Sequence, residues 1–361
     1  MKRTWFPAPT TLLKNCRPLR LTAILPLLGL LVTLAAGSVA QASLLGTAGQ
    51  YGEFVLGDST RWGADSHGKI AVGGNLTFPG SGFTVASQQS NATTNLVVGG
   101  TFNANGASVK GSIVTGGNAT YTNPTVFGNF SSNGSLTLGS GGTVNGNVRH
   151  ATTYNQNGTT VSGTNTTGTT PLPVDFASEA TYLKALSLAQ VNPSDPTPTF
   201  QWSQMFITAG AGAHYFNLTS ANILASPGGF VITAPAGSSV VLNVSGSGFT
   251  FPNTGLTLSG GISLSDILWN FYDATSFTMS SANGTFLAPL AAVTANSGGF
   301  NGNLIVGSLY GNVETHTTYN GTPTFYDGEL RSPPPVPEPA ALGMLLVGAI
   351  SGASFFRRRT A

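Results

Sequence analysis

Charge is what this 361-residue sequence most lacks: Asp, Glu, Lys and Arg make up 7% of it, against a usual share of about 25%. The bases it has are pushed to the ends. Lys2, Arg3, Lys14, Arg17 and Arg20 precede residue 43, and Arg357, Arg358 and Arg359 close the chain. Between residues 43 and 332 six bases face eleven acids. That acidic balance excludes nucleic acid as a partner, because phosphate recognition needs a basic face. Cysteine is nearly absent. The single residue, Cys16, sits in a segment expected to be removed, which excludes disulfides, thiolate catalysis and cysteine-held metal from the mature protein. The sequence also has no His-Glu-x-x-His, no Gly-x-Ser-x-Gly and no phosphate loop, so no catalytic, cofactor or metal-ligating set is assigned and the chain is expected not to be an enzyme.

Long apolar runs occur only at the two ends. At the first, a basic region ending at Arg20 precedes "LTAILPLLGLLVTLAAG", and Ala40-Gln41-Ala42 supplies a small-x-small cleavage pattern. Residues 1–42 are therefore expected to be a secretory signal peptide, with a mature start at Ser43; a retained anchor is the alternative. At the second, the Pro-rich spacer 333–339 leads into an uncharged stretch, Ala340 to Phe356, then Arg357 to Arg359. A seventeen-residue uncharged stretch just suffices to cross a bilayer, and the arginines would stay cytoplasmic. Pro337-Glu338-Pro339, one apolar span and terminal arginines together resemble the PEP-CTERM sorting signal of Gram-negative bacteria. The resemblance implies that the 340–361 tail holds an exported precursor transiently in the inner membrane until an exosortase-type enzyme processes it. A plain C-terminal anchor is the alternative.

Between these signals the chain repeats loosely. "KIAVGGNLTF", "NLVVGGTFNA", "SIVTGGNATY", "TVFGNFSS" and "TVNGNVRH" each place apolar or β-branched residues before a Gly-rich turn followed by Asn or Thr. Gly74, Gly100 and Gly117 lie 26 and 17 residues apart, and Gly128 and Gly146 lie 18 apart. Short strands with inward apolar residues and glycine corners predict a mainly β fold, a right-handed β-helix or β-solenoid; an antiparallel β-sandwich is the alternative. Val97 and Ile113 are expected to share its inner core, and Thr120 to face out. One stretch, Pro173 to Gln190, predicts an accompanying amphipathic helix using Phe176, Tyr182, Leu183, Leu186 and Leu188, capped by Asp175 or Ser178. A second β-rich half is expected to start near Phe200.

The blocks "AGQYGEFVLGDST", "GKIAVGGNLT", "DILWNFYDATSFTM", "NGTFLAPLAAVTA" and "FNGNLIVGSLYGNVETHTTYNG" resemble the choice-of-anchor A domain, an exported bacterial module, over most of residues 46–326. The resemblance implies one domain over 43–332, an adhesive function, a β-helix with an attached helix, and no catalytic residue.

Four histidines remain, His67, His150, His214 and His316. Glu314 and His316 fall on one face if "VETHTTY" is a strand, and read as a surface hydrogen-bonded pair. Asp58, Arg61, Asp65 and His67 gather in "GDSTRWGADSHG"; oxygen ligands there could hold calcium, but EF-hand spacing is missing and a structural turn is the simpler reading. Trp269 and Phe271 alternate onto one face as core residues, with Tyr272 beside them. The function expected is that of an exported cell-surface or matrix adhesin binding polysaccharide, a surface or other cells, as in a biofilm. The alternatives are a flat-surface binder such as an ice-binding protein, whose mark would be aligned threonines, and a polysaccharide-active enzyme, which would need paired carboxylates.

Overall fold

The computed structural model describes residues 44–333. The expected signal segment with Ala40, Ala42 and Ser43, the Pro337-Glu338-Pro339 motif and the tail with Arg357, Arg358 and Arg359 lie outside the described residues.

Short alternating runs set the architecture. In Leu76–Phe78 the outer two side chains are buried and Thr77 between them is half-exposed, the pattern of a strand with one wet face. Such strands stack coil on coil: Ile113 pairs with Phe130 and Phe130 with Val148 in parallel register, steps of 17 and 18 residues. The longer step from Ile70 to Leu96 carries an inserted turn around Ser90. The result is a β-solenoid. Its main ladders are all parallel, and antiparallel pairing is confined among the described residues to two small hairpins and one bridge. The sandwich alternative is thereby set aside.

The corners explain the Gly-Asn signature. A Cβ on Gly117 would lie 2.8 Å from the Gly100 carbonyl oxygen, so the stacked coils meet there through backbone alone. At several corners the residue after the glycine hydrogen-bonds the next coil. Asn118 Oδ1 accepts the Ser135 amide at 2.9 Å, and Asn129 Oδ1 accepts the Asn147 amide at 2.8 Å. Backbone donors that the turn would leave unpaired are satisfied in this way.

Three faces result. The first is a continuous parallel ladder from Asn165–Thr167 at one end to Ala213–Thr219 at the other. The N-terminal strand Glu53–Val55 lies in its middle, pairing with Ile70–Val72 on one side and with Leu304–Gly311 on the other. The first coil is thus sandwiched between the second and the last. The chain winds outward from it to Thr167, and a second arm, beginning near Gln204, coils back to close against it.

Helix α1, Phe176–Ala189, covers the middle of this first face. Asp175 caps it, its carboxylate accepting the Ala177 and Ser178 amides. Leu183 and Leu186 pack onto the outward side chains Phe54, Ala71, Val97, Leu287 and Ile305. At the far end Asn217, Asn243 and Asn270 hydrogen-bond in a ladder, and Asn270 accepts from the Ser187 hydroxyl. Two expectations need correction. Val97 pairs with Val114 and belongs to this helix-covered layer, whereas Ile113 stacks on Leu96 inside the solenoid. A strand buried on both faces shows no alternation from which parity could be read. Leu188 points to solvent, 62% exposed, one position off the packed stripe. A second helix not foreseen, α2 (Ser220–Leu224), is held by a capping box between Thr219 and Asn222. The second half does begin as expected, with the strand Thr199–Gln201.

The inner core is apolar and aromatic. Phe251, Trp269, Phe271 and Phe286 lie with ring centroids 5.0–6.4 Å apart, and the Trp269 indole donates to the Asn283 carbonyl. Both Trp269 and Phe271 are core, as expected.

Candidate functional site

With the middle of the first face covered by α1, the second face is open along its length. Each of its strands turns at least one side chain outward, and the parallel register aligns them. From one end the row runs Asn155, Thr137, Thr120, Asn103, Thr77, Thr60, then across the closing seam to Tyr310, Thr294, Thr278 and Thr250. Seven of the ten are threonine and none is charged. At a strand spacing of roughly 4.8 Å the row extends about 43 Å.

The row comes from a local pattern of apolar, Thr, apolar: Leu76-Thr77-Phe78, Leu136-Thr137-Leu138, Val293-Thr294-Ala295 and Phe249-Thr250-Phe251. The flanking residues are buried and the β-branched threonine between them is held in a restricted rotamer. Each threonine therefore presents a hydroxyl and a methyl at a fixed position. One neighbouring pair is hydrogen-bonded, Thr278 Oγ1 donating to Thr250 Oγ1 at 2.8 Å. Near its middle the row carries an aromatic pair, Trp62 and Tyr310, packed edge to face at 4.8 Å, with Tyr310 55% exposed. Such a surface can offer many neutral hydrogen bonds, methyl contacts and one aromatic platform.

The third face is narrower. Its two-residue strands align Thr160, Thr143, Thr125, Ser108 and Thr84 outward as a shorter row of hydroxyls, and beyond Asp65 the sheet crosses the seam to Glu314–His316 and Gly299–Asn301.

The acid- and histidine-bearing residues separate. Arg61 turns inward to Glu53. Asp58 Oδ1 accepts the Asn75 amide at a corner, and Asp65 Oδ1 accepts the Thr84 amide on the third face. The four residues of "GDSTRWGADSHG" thus do not converge into a calcium cage. His150 stacks on Tyr154 at 5.3 Å. His214 lies 3.4 Å from Asp195 in a cleft of about 260 Å³ that also takes in Phe206, Gly210 and Phe216. Glu314 and His316 do share a face, with Thr315 buried between them. The closing seam adds His67 to them: its Nε2 lies 3.2 Å from Glu314 Oε1. Sequence reasoning missed that third member, since it arrives from 247 positions away.

Burial pushes several tyrosines up. Tyr51 is raised to about 12, by burial first and then by the Glu179 charge, and Tyr121 and Tyr326 rise further, chiefly through burial. None lies on the open row. Among the described residues no helix is long and apolar enough to cross a membrane.

Residues 44–317 match a family model described as "Putative Ice-binding-like adhesive domain". No curated protein and no solved structure matches the chain.

Proposed function

The chain belongs to the family of ice-binding-like adhesive domains, and on that premise we propose that it is an exported adhesin that holds extended polysaccharide along its second face. The observation that carries this is the ten-residue row from Asn155 to Thr250, uncharged and in parallel register. A sugar polymer laid along the row would meet a hydroxyl or amide at each strand, and the exposed Tyr310 ring offers a stacking surface for one sugar face. Many weak contacts in line give affinity without a deep pocket. The alternation of seven threonines also favours a second reading, a flat-surface binder that orders water or engages ice.

Export fits an adhesive domain. The pattern at Ala40, Ala42 and Ser43 and the Pro337-Glu338-Pro339 tail support passage through the inner membrane and exosortase-type sorting to the cell surface or matrix of a Gram-negative bacterium. We read the protein as a binder with no catalytic step and no cofactor.

The two readings separate in one experiment on purified protein. Cosedimentation with insoluble polysaccharides is measured beside inhibition of ice recrystallisation. Saturable retention by a polysaccharide, with ice growth unaffected, supports the first reading. Inhibition of ice growth without polysaccharide retention replaces it with the second, and inactivity in both contradicts the assignment of the row.

A further inference from the structure

We propose that His67, Glu314 and His316 form a site for a divalent transition-metal ion of the Zn2+ class, which ties the first coil of the solenoid to the last. The register builds it. Ser66 pairs with Thr315, both inward, and the residues that follow them, His67 and His316, emerge side by side on the third face. The His67 amide donates to the Thr315 carbonyl at 2.8 Å, which fixes this juxtaposition. Glu314, two positions before His316, rises on the same side.

The distances suit coordination. Glu314 Oε1 lies 3.2 Å from His67 Nε2 and 3.3 Å from His316 Nε2, and the three ligand atoms all fall within 4.8 Å of one another. Nitrogen and oxygen ligands at about 2.0–2.1 Å from a tetrahedral ion stand about 3.3–3.4 Å apart. The ring centroids are 4.7 Å apart and tilted by 50°, so the imidazoles are inclined to each other and not stacked face to face.

An outer partner is already in place. His316 Nδ1 lies 2.8 Å from Asn301 Oδ1, and the Asn301 amide nitrogen donates to Asn283 Oδ1 at 2.7 Å. That second bond orients the Asn301 oxygen toward Nδ1, which suits the tautomer whose Nε2 is free to bind an ion. Gly299, the register partner of Glu314, leaves the ring its room: a Cβ there would lie 3.0 Å from His316 Cε1.

Two imidazoles and one carboxylate suit zinc-like ions and not calcium or magnesium, which take oxygen cages. The side chains are 21–42% exposed, so an ion can enter, and a fourth position stays open to water. His67 belongs to the first coil and the other two ligands to the last, so coordination would close the seam from outside. The site is independent of what the second face binds.

The test uses untagged, full-length protein in detergent, freed of metal by a chelator and titrated with Zn2+. One ion per chain and a raised melting temperature are expected, with no such rise from Ca2+ or Mg2+. His67→Ala and Glu314→Gln should each weaken binding by more than about 100-fold, and Asn301→Ala by about 10–100-fold, as loss of an outer partner does. Asp58→Asn, outside the site, should bind as the unaltered protein does. Circular dichroism of the metal-free variants separates loss of the site from loss of fold, and His316→Ala provides a third ligand variant if one of the others does not fold. Absence of saturable Zn2+ binding, binding unchanged in the folded ligand variants, or binding that leaves the melting temperature unmoved would overturn the proposal.

Discussion

Glu53 and Arg61 meet inside the solenoid with neither side chain exposed to solvent, and both reach across to the last coil. Arg61 donates to both Glu53 carboxylate oxygens at 2.9 and 3.0 Å and to the Gly311 and Val313 carbonyls. Thr315 donates to Glu53. Glu53 occupies a place in a stack that is otherwise apolar, between Leu304 and Ile70, so the pair specifies which coils meet at the seam. Replacing Glu53 by Ala leaves a buried guanidinium without its counter-charge and should cost about 3–5 kcal/mol. The double change Glu53→Leu with Arg61→Met should cost clearly less, since it removes both charges. Denaturant unfolding of the three proteins checks the ordering; equal losses would show that the pair does not act as a unit.

The layer under α1 and the open face predict opposite tolerance. Leu186→Ala should cost about 2–5 kcal/mol, because it opens a cavity between helix and sheet. Val97→Asp would bury an unpaired charge in the same layer and should abolish stable folding, whereas Thr120→Asp, on the outward row, should melt close to the unaltered protein. Thermal melts of the three variants are the measurement. Similar damage from Val97→Asp and Thr120→Asp would contradict the assignment of faces.

Buried tyrosines set the alkaline limit. Tyr51, Tyr121 and Tyr326 all have folded values above the ordinary 10.0. A phenol raised by burial contributes stability that is complete below about pH 10 and is lost as the pH climbs toward the folded value, about 12 for Tyr51. Tyrosinate absorbance followed with circular dichroism should therefore show the exposed tyrosines ionising first and these three ionising together with unfolding. Ionisation of all nine tyrosines with the fold intact would contradict their burial.

The short-range features were legible in the sequence. Gly-Asn corners, strand alternation and the Asp175 cap each rest on local chemistry, and each stands where the pattern put it. The aligned threonines were legible in principle, because the apolar-Thr-apolar triplets recur, but only the coil register turns separate triplets into one row. The seam left no local signal at all. Pairing Glu53 with Leu304 joins strands 251 positions apart through backbone hydrogen bonds, which carry no side-chain signature. The same distance hid the approach of His67 to Glu314 and His316. Val97 was misplaced for a different reason: "LVV", residues 96–98, is apolar throughout, so its parity is set by the helix that covers it.

The central claim is that the second face does the binding, and a pair of matched substitutions tests it most directly. Thr120→Arg and Thr294→Arg each raise a long cation from the row, one on either side of the seam, while Thr125→Arg and Thr143→Arg do the same on the third face. Retention of each folded variant on the polysaccharide that holds the unaltered protein is the measurement. The second-face changes should lower affinity at least about tenfold, near 1.4 kcal/mol, and the third-face changes should leave it within about twofold, less than about 0.5 kcal/mol. Full binding by Thr120→Arg and Thr294→Arg, or its loss in Thr125→Arg and Thr143→Arg instead, would contradict the assignment.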